Sequence, residues 1–217
     1  MQLPRPTVLA PLLIGLSLMG AAPDRPPIPP RRDAAVTYQV GGAAAQAIPG
    51  GVPGLLTVRW DAAGQRLRAE AEGRTQAVLI DLRTRQGSVI DTGLHAILPL
   101  RTPDPGAMLR LDGARFTRAG QDRVAGATCT NWTVQHPKGN GTICVTADGV
   151  PLRGEGTVDG KQGNFVATSI DLSPQPDALF RAPPGYQTLN LPDWARGLQG
   201  GKGGGGLPDL RGLLRGG

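Results

Sequence analysis

Apolar residues in this chain recur at alternate positions in short runs, divided by Gly, Pro, Asp and Asn. Leu67, Ala69 and Ala71 interleave with Arg66, Arg68, Glu70 and Glu72. Val36, Tyr38 and Val40 interleave with Thr37 and Gln39. Alternation sends successive side chains to opposite sides of a strand, so each run reads as a strand with one greasy and one wet face. Comparable runs lie near 56–60, 78–82, 88–92, 95–100, 114–119, 152–158 and 164–172. Asp61-Ala62-Ala63-Gly64, Arg85-Gln86-Gly87, Asp148-Gly149 and Asp159-Gly160 supply turn chemistry between runs. No long segment carries a helical period, and one helical turn is expected at 105–109. The expected fold is mainly β: a single antiparallel sheet, curved or partly closed, with little helix. Gly154 and Gly156 inside one run predict a bend or bulge there.

The flanks differ from this body. Residues 1–22 combine Arg5, an apolar stretch at 8–19 and the small residues Gly20-Ala21-Ala22. That order predicts an export signal cleaved near residues 21–22. The stretch is short for a bilayer span, which needs about 20 apolar residues. No cysteine follows it, so lipoprotein acylation is not expected, and no later segment predicts a membrane span. Residues 23–33 read as a Pro-rich linker without a share in a core. Residues 34–190 form the expected β domain. Residues 191–217 form a Gly-rich tail, expected to be disordered. The tail carries a near-repeat, with Leu191-Pro192-Asp193-Trp194 echoed by Leu207-Pro208-Asp209-Leu210.

The net charge of +6 invites a nucleic-acid reading. Between residues 34 and 194, however, 15 Lys and Arg face 14 Asp and Glu, and the excess sits in the flanks. With three Phe, three Trp and two Tyr, the chain lacks an aromatic stacking platform. No nucleic-acid partner is expected.

Cys129 and Cys144 are the only cysteines. In an exported protein two cysteines are enough for one disulfide. They fall on the arms of a hairpin, 128–135 and 141–146, joined by Pro137-Lys138-Gly139-Asn140. Trp132 and Val134 take one face of the first arm, and Ile143 and Val145 one face of the second. Both sulfurs then share the opposite, wetter face with Asn131, Thr133, Thr142 and Thr146, which favours a cross-strand bond. Spacing alone leaves the register open.

Candidate chemistry is sparse. Asp91-Thr92-Gly93, preceded by Val89-Ile90, matches the core of an aspartic-protease motif, in which two carboxylates share a proton to activate water. Leu94 stands where that motif has a small residue, and no supporting downstream loop is found. The competing reading is a strand end followed by a turn. Ser88 and Asp91 alternate to opposite faces, so they form no triad with His95. His95 and His136 do not make a metal site, and no cofactor motif occurs.

The segment from Val124-Ala125-Gly126 through Cys144-Val145-Thr146-Ala147-Asp148-Gly149, with Phe180 and Pro183-Pro184-Gly185-Tyr186, resembles an uncharacterised family of exported bacterial domains. That family is similar to the periplasmic lipoprotein carriers of the LolA and LolB type. The resemblance covers about residues 34–186. It implies a half-barrel whose concave side, in the carriers, holds acyl chains beneath covering helices, and obvious helices of that kind are lacking here. The expected function is non-enzymatic, periplasmic binding of an apolar ligand, a lipoprotein or an envelope component on the concave sheet face. An envelope interaction module using a sheet edge or the tail is the alternative, and a hydrolase built on Asp91 the third.

Overall fold

The structure is a computed structural model that describes residues 25–46, 53–100 and 111–189. The leader, the helical turn expected at 105–109 and the tail from 190 lie outside the described residues. Among the described residues, twelve strands make one sheet that does not close into a barrel, with little helix, as the alternation predicts. They are β1 (Ala34–Gly42), β2 (Gly54–Asp61), β3 (Arg66–Ala71), β4 (Gln76–Asp81), β5 (Gln86–Asp91) and β6 (Ala96–Leu100). The second half holds β7 (Arg115–Val124), β8 (Ala127–His136), β9 (Gly139–Val145), β10 (Pro151–Val158), β11 (Lys161–Asp171) and the short β12 (Gln187–Thr188).

Two antiparallel meanders meet in the middle. The first runs outward from β1 to β6. The second enters at the far end with β7 and returns inward to β11, which pairs with β1. Paired residues share a face, so the registers trace one apolar face across the molecule. In one row Val58 faces Ala69, Ala69 faces Val78, Val78 faces Val89 and Val89 faces Leu98. In the other direction Val40 faces Phe165, Phe165 faces Gly154, Gly154 faces Ile143 and Ile143 faces Trp132. The opposite face carries Arg59, Arg68, Glu70, Arg153 and Glu155.

Neighbouring backbones approach closely on the apolar face of β9 and β10. Gly141 and Gly156 both project to that face, and a Cβ on either would collide with the backbone of the neighbouring strand, at Glu155 O or Asn140 O. With backbones this close, only glycine fits at either position. The irregularity in β10 falls before the expected Gly154 and Gly156: the register shifts between Pro151 and Arg153 and runs unbroken through both glycines.

Two terminal segments clasp the sheet. Residues 25–33 are not the coreless linker the composition suggests. Pro30 O accepts a hydrogen bond from Trp60 Nε1 at 2.8 Å, Arg31 N donates to Asp148 O at 2.8 Å, and Pro26 is buried. Extended proline backbone leaves its carbonyls unpaired, and the sheet's donors take them. Residues 173–189 cross the polar face. A 3-10 turn at Asp177–Phe180 rests on β3, and β12 then adds in parallel to β6. Asp33 ties both segments together, accepting from Ala62 N and Gln175 N.

Candidate functional site

Two buried clusters pack among the described residues. The larger gathers Val36, Tyr38, Val40, Ala45, Leu152 and Ala167 around β1, β10 and β11, together with a four-residue helix α1 (Ala43–Gln46). The smaller holds Val89, Ala96 and Leu98, with Leu189 packed on it. Between them, β3 presents Ala69 and Ala71. These alanines are flanked by Leu56 and Val58 of β2 and by Val78 and Ile80 of β4, and all six are half-buried. These six side chains form a continuous, partly exposed strip on the sheet's apolar face. It offers apolar contact and no nucleophile.

Polar anchors hold the strands beside and behind this strip. Tyr38 donates its hydroxyl to Pro151 O at 2.7 Å and packs edge-on against Phe165, with ring centroids 5.4 Å apart. Burial pushes the Tyr38 phenol far above its ordinary pKa, so it stays a neutral donor. On the opposite face, Arg59 and Arg68 both pair with Glu70, at 2.5 and 2.6 Å. Burial works to raise the Glu70 pKa, but the two guanidiniums outweigh it and hold the carboxyl below its usual range.

Asp91 is buried, 5% exposed, and fully engaged. Its Oδ1 accepts from Gly93 N at 2.9 Å and Leu94 N at 3.1 Å, and its Oδ2 accepts from Gln76 Nε2 at 3.1 Å. This is turn geometry, and it recurs. Asp61 accepts from Gly64 N, and Asp81 from Arg83 N and Thr84 N. Each of the three aspartates ends a strand four positions before a residue in the left-handed region: Gln65 at φ 52°, Arg85 at φ 56° and His95 at φ 50°. The Asp91-Thr92-Gly93 motif is one copy of a repeated hairpin turn. His95 stacks near Tyr186, with centroids 5.3 Å apart, and the half-buried His136 lies within 3.1 Å of Asp112 O. Among the described residues no group of three His, Cys, Asp or Glu is placed to hold a metal.

Cys129 and Cys144 form a disulfide, with Cα atoms 5.4 Å apart. The wetter-face expectation needs correction. Both residues lie on the face shared with Asn131, yet they are 2% and 1% exposed. Cys144 faces Asn131 in the register and bonds two residues along, near the ends of β8 and β9. There Val124, Val150 and Leu152 join the sulfurs in the larger cluster. Parity assigns a face, but it does not reveal what folds over that face.

Alternation in the sequence places each of the strip's residues on its face but does not show that they line up as one strip across β2–β4. The available signal was a pair of alanines in phase between longer aliphatics on both neighbouring runs.

No family model and no curated sequence matches the chain. Solved structures align at low identity. An uncharacterized conserved protein from Thermus thermophilus is 14% identical with a TM-score of 0.49, over 73% of this chain and 90% of that one. MucB of Pseudomonas aeruginosa, solved as a MucA/MucB complex, is 16% identical with a TM-score of 0.46, over 73% of this chain and 58% of that one. A LolA superfamily protein from Nitrosomonas europaea is 10% identical with a TM-score of 0.36, over 70% of this chain and 91% of that one. With TM-scores this low, none of these likenesses transfers a ligand or partner to this chain.

Proposed function

We propose that this is an exported, non-enzymatic binding protein whose apolar sheet face receives a single apolar chain, such as the acyl group of a lipid or lipoprotein. The observation that carries the reading is the apolar strip over β2–β4, with half-buried Leu56, Val58, Val78 and Ile80 around Ala69 and Ala71. A methylene brought there from water contributes about 0.8 kcal/mol, so about ten methylenes offer about 8 kcal/mol before the cost of association. That supports affinity no tighter than the micromolar range. The disulfide suits an oxidising compartment such as the periplasm.

Titration with an environment-sensitive fluorescent acyl probe tests the site. Saturable one-to-one binding is expected, weakened at least tenfold by Val58→Lys or Val78→Lys and unchanged by Thr117→Lys on β7. Equal binding by all three variants contradicts the assignment.

A further inference from the structure

The two ends of the sheet are treated differently. At one end β12 covers β6, with Gln187 N donating to His95 O and Leu189 N to Ile97 O. At the other, β7 is a ten-residue strand, and among the described residues no strand pairs with its outer side. Such an edge offers a row of backbone donors and acceptors to any extended chain. We propose that β7 is a docking edge for an acidic, extended protein segment, which adds to the sheet as a further strand.

Charge selects the occupant. Arg115, Arg118 and Arg123 are all exposed on β7. Its single acid, Asp122, is neutralised by Arg153 at 2.6 Å. Arginines along an edge repel a second copy of the same edge, so self-pairing is disfavoured while a strand bearing carboxylates is attracted. The edge is also braced. The guanidinium of Arg118 lies 4.7 Å from the centroid of the buried Trp132, which meets Phe116 edge-on at 6.3 Å. These contacts hold the first part of β7 in a fixed path before the register shift between Arg118 and Gln121. Arg115 and Arg118 project to opposite faces, so the complementary segment carries acids three residues apart, one for each face.

The test uses the full protein and a fluorescent ten-residue peptide of Thr and Val with two Glu three positions apart. A Lys-for-Glu peptide serves as control, together with two versions N-methylated on odd or on even residues. The Glu peptide is expected to bind at least tenfold more tightly than the Lys peptide. One N-methylation frame should abolish binding and the other leave it intact, because only alternate amides face the edge. The double variant Arg115→Glu/Arg118→Glu should reverse the preference and favour the Lys peptide. The proposal is overturned by absent binding, by equal binding of both peptides, by indifference to both methylation frames, or by a dimer that the double variant dissolves.

Discussion

The ring of Phe165 lies against Gly154, where an added Cβ would stand 2.5 Å from Phe165 Cε1. The contact sits where β10 and β11 border the larger cluster, and the same ring meets Tyr38. Phe165 therefore packs against the larger cluster, and Gly154 leaves the space its ring occupies. Substituting Gly154→Val forces the ring off its position. Overpacking of this kind costs about 1–3 kcal/mol, read as a lower Tm. Gly54→Ala, with open space around it, should leave the Tm nearly unchanged.

Loss of the disulfide acts chiefly on the unfolded chain. A closed loop of this length contributes about 3 kcal/mol in the chain-entropy model. Denaturant titration of Cys129→Ala/Cys144→Ala should show an unfolding free energy lowered by that amount. In the wild type, reductant under native conditions should release no titratable thiol, because both sulfurs are buried.

Asp91 distinguishes a turn residue from a catalytic one. Asparagine keeps an oxygen that can accept from Gly93 N and Leu94 N, so Asp91→Asn should fold with near-native stability. Asp91→Ala orphans three donors, Gly93 N, Leu94 N and Gln76 Nε2, and should cost about 1–3 kcal/mol. Chemical denaturation of the pair reads the difference. Equal loss in both variants would remove the turn explanation.

Acid sensitivity follows from Asp61 and Glu70. Burial pushes the Asp61 pKa upward, but hydrogen bonds from Gly64 N and Arg66 outweigh it and bring the carboxyl below its ordinary value. Glu70 is lowered by Arg68 and Arg59 against the same burial penalty. A carboxylate with a depressed folded pKa contributes stability that is present above its unfolded pKa, about 4, and lost as pH falls through the folded value. Unfolding free energy should thus be flat near neutrality and fall below about pH 4. The slope should be shallower in Asp61→Asn and Glu70→Gln, followed by urea titration at each pH.

Much of the sheet was legible because alternation is a local property. The face holding Leu67, Ala69 and Ala71 could be read from six consecutive residues, and the structure keeps it. Placement of β1 between β2 and β11 was not legible, since nothing local says which distant strand takes the second edge of a strand. Ala125-Gly126 escaped notice as a turn because alanine seldom adopts a positive φ, yet here it sits at 49° before Gly126 at 80°. The three aspartate turns share an Asp that ends a strand four positions before a left-handed residue. The sequence carries that spacing at Asp61, Asp81 and Asp91, but the left-handed residues, Gln65, Arg85 and His95, are not the Gly or Asn that signals such a position. For the site, parity identifies each apolar face, while the strip depends on cross-strand register, which aligns Val58, Ala69 and Val78.

Native mass spectrometry of protein isolated from its producing cell without detergent tests apolar binding most directly. The account predicts a population heavier by one lipid-sized ligand, which dissociates on mild activation and is lost in Val58→Lys. A single species at the polypeptide mass with its disulfide intact, still unshifted after incubation with acyl lipids, would contradict it.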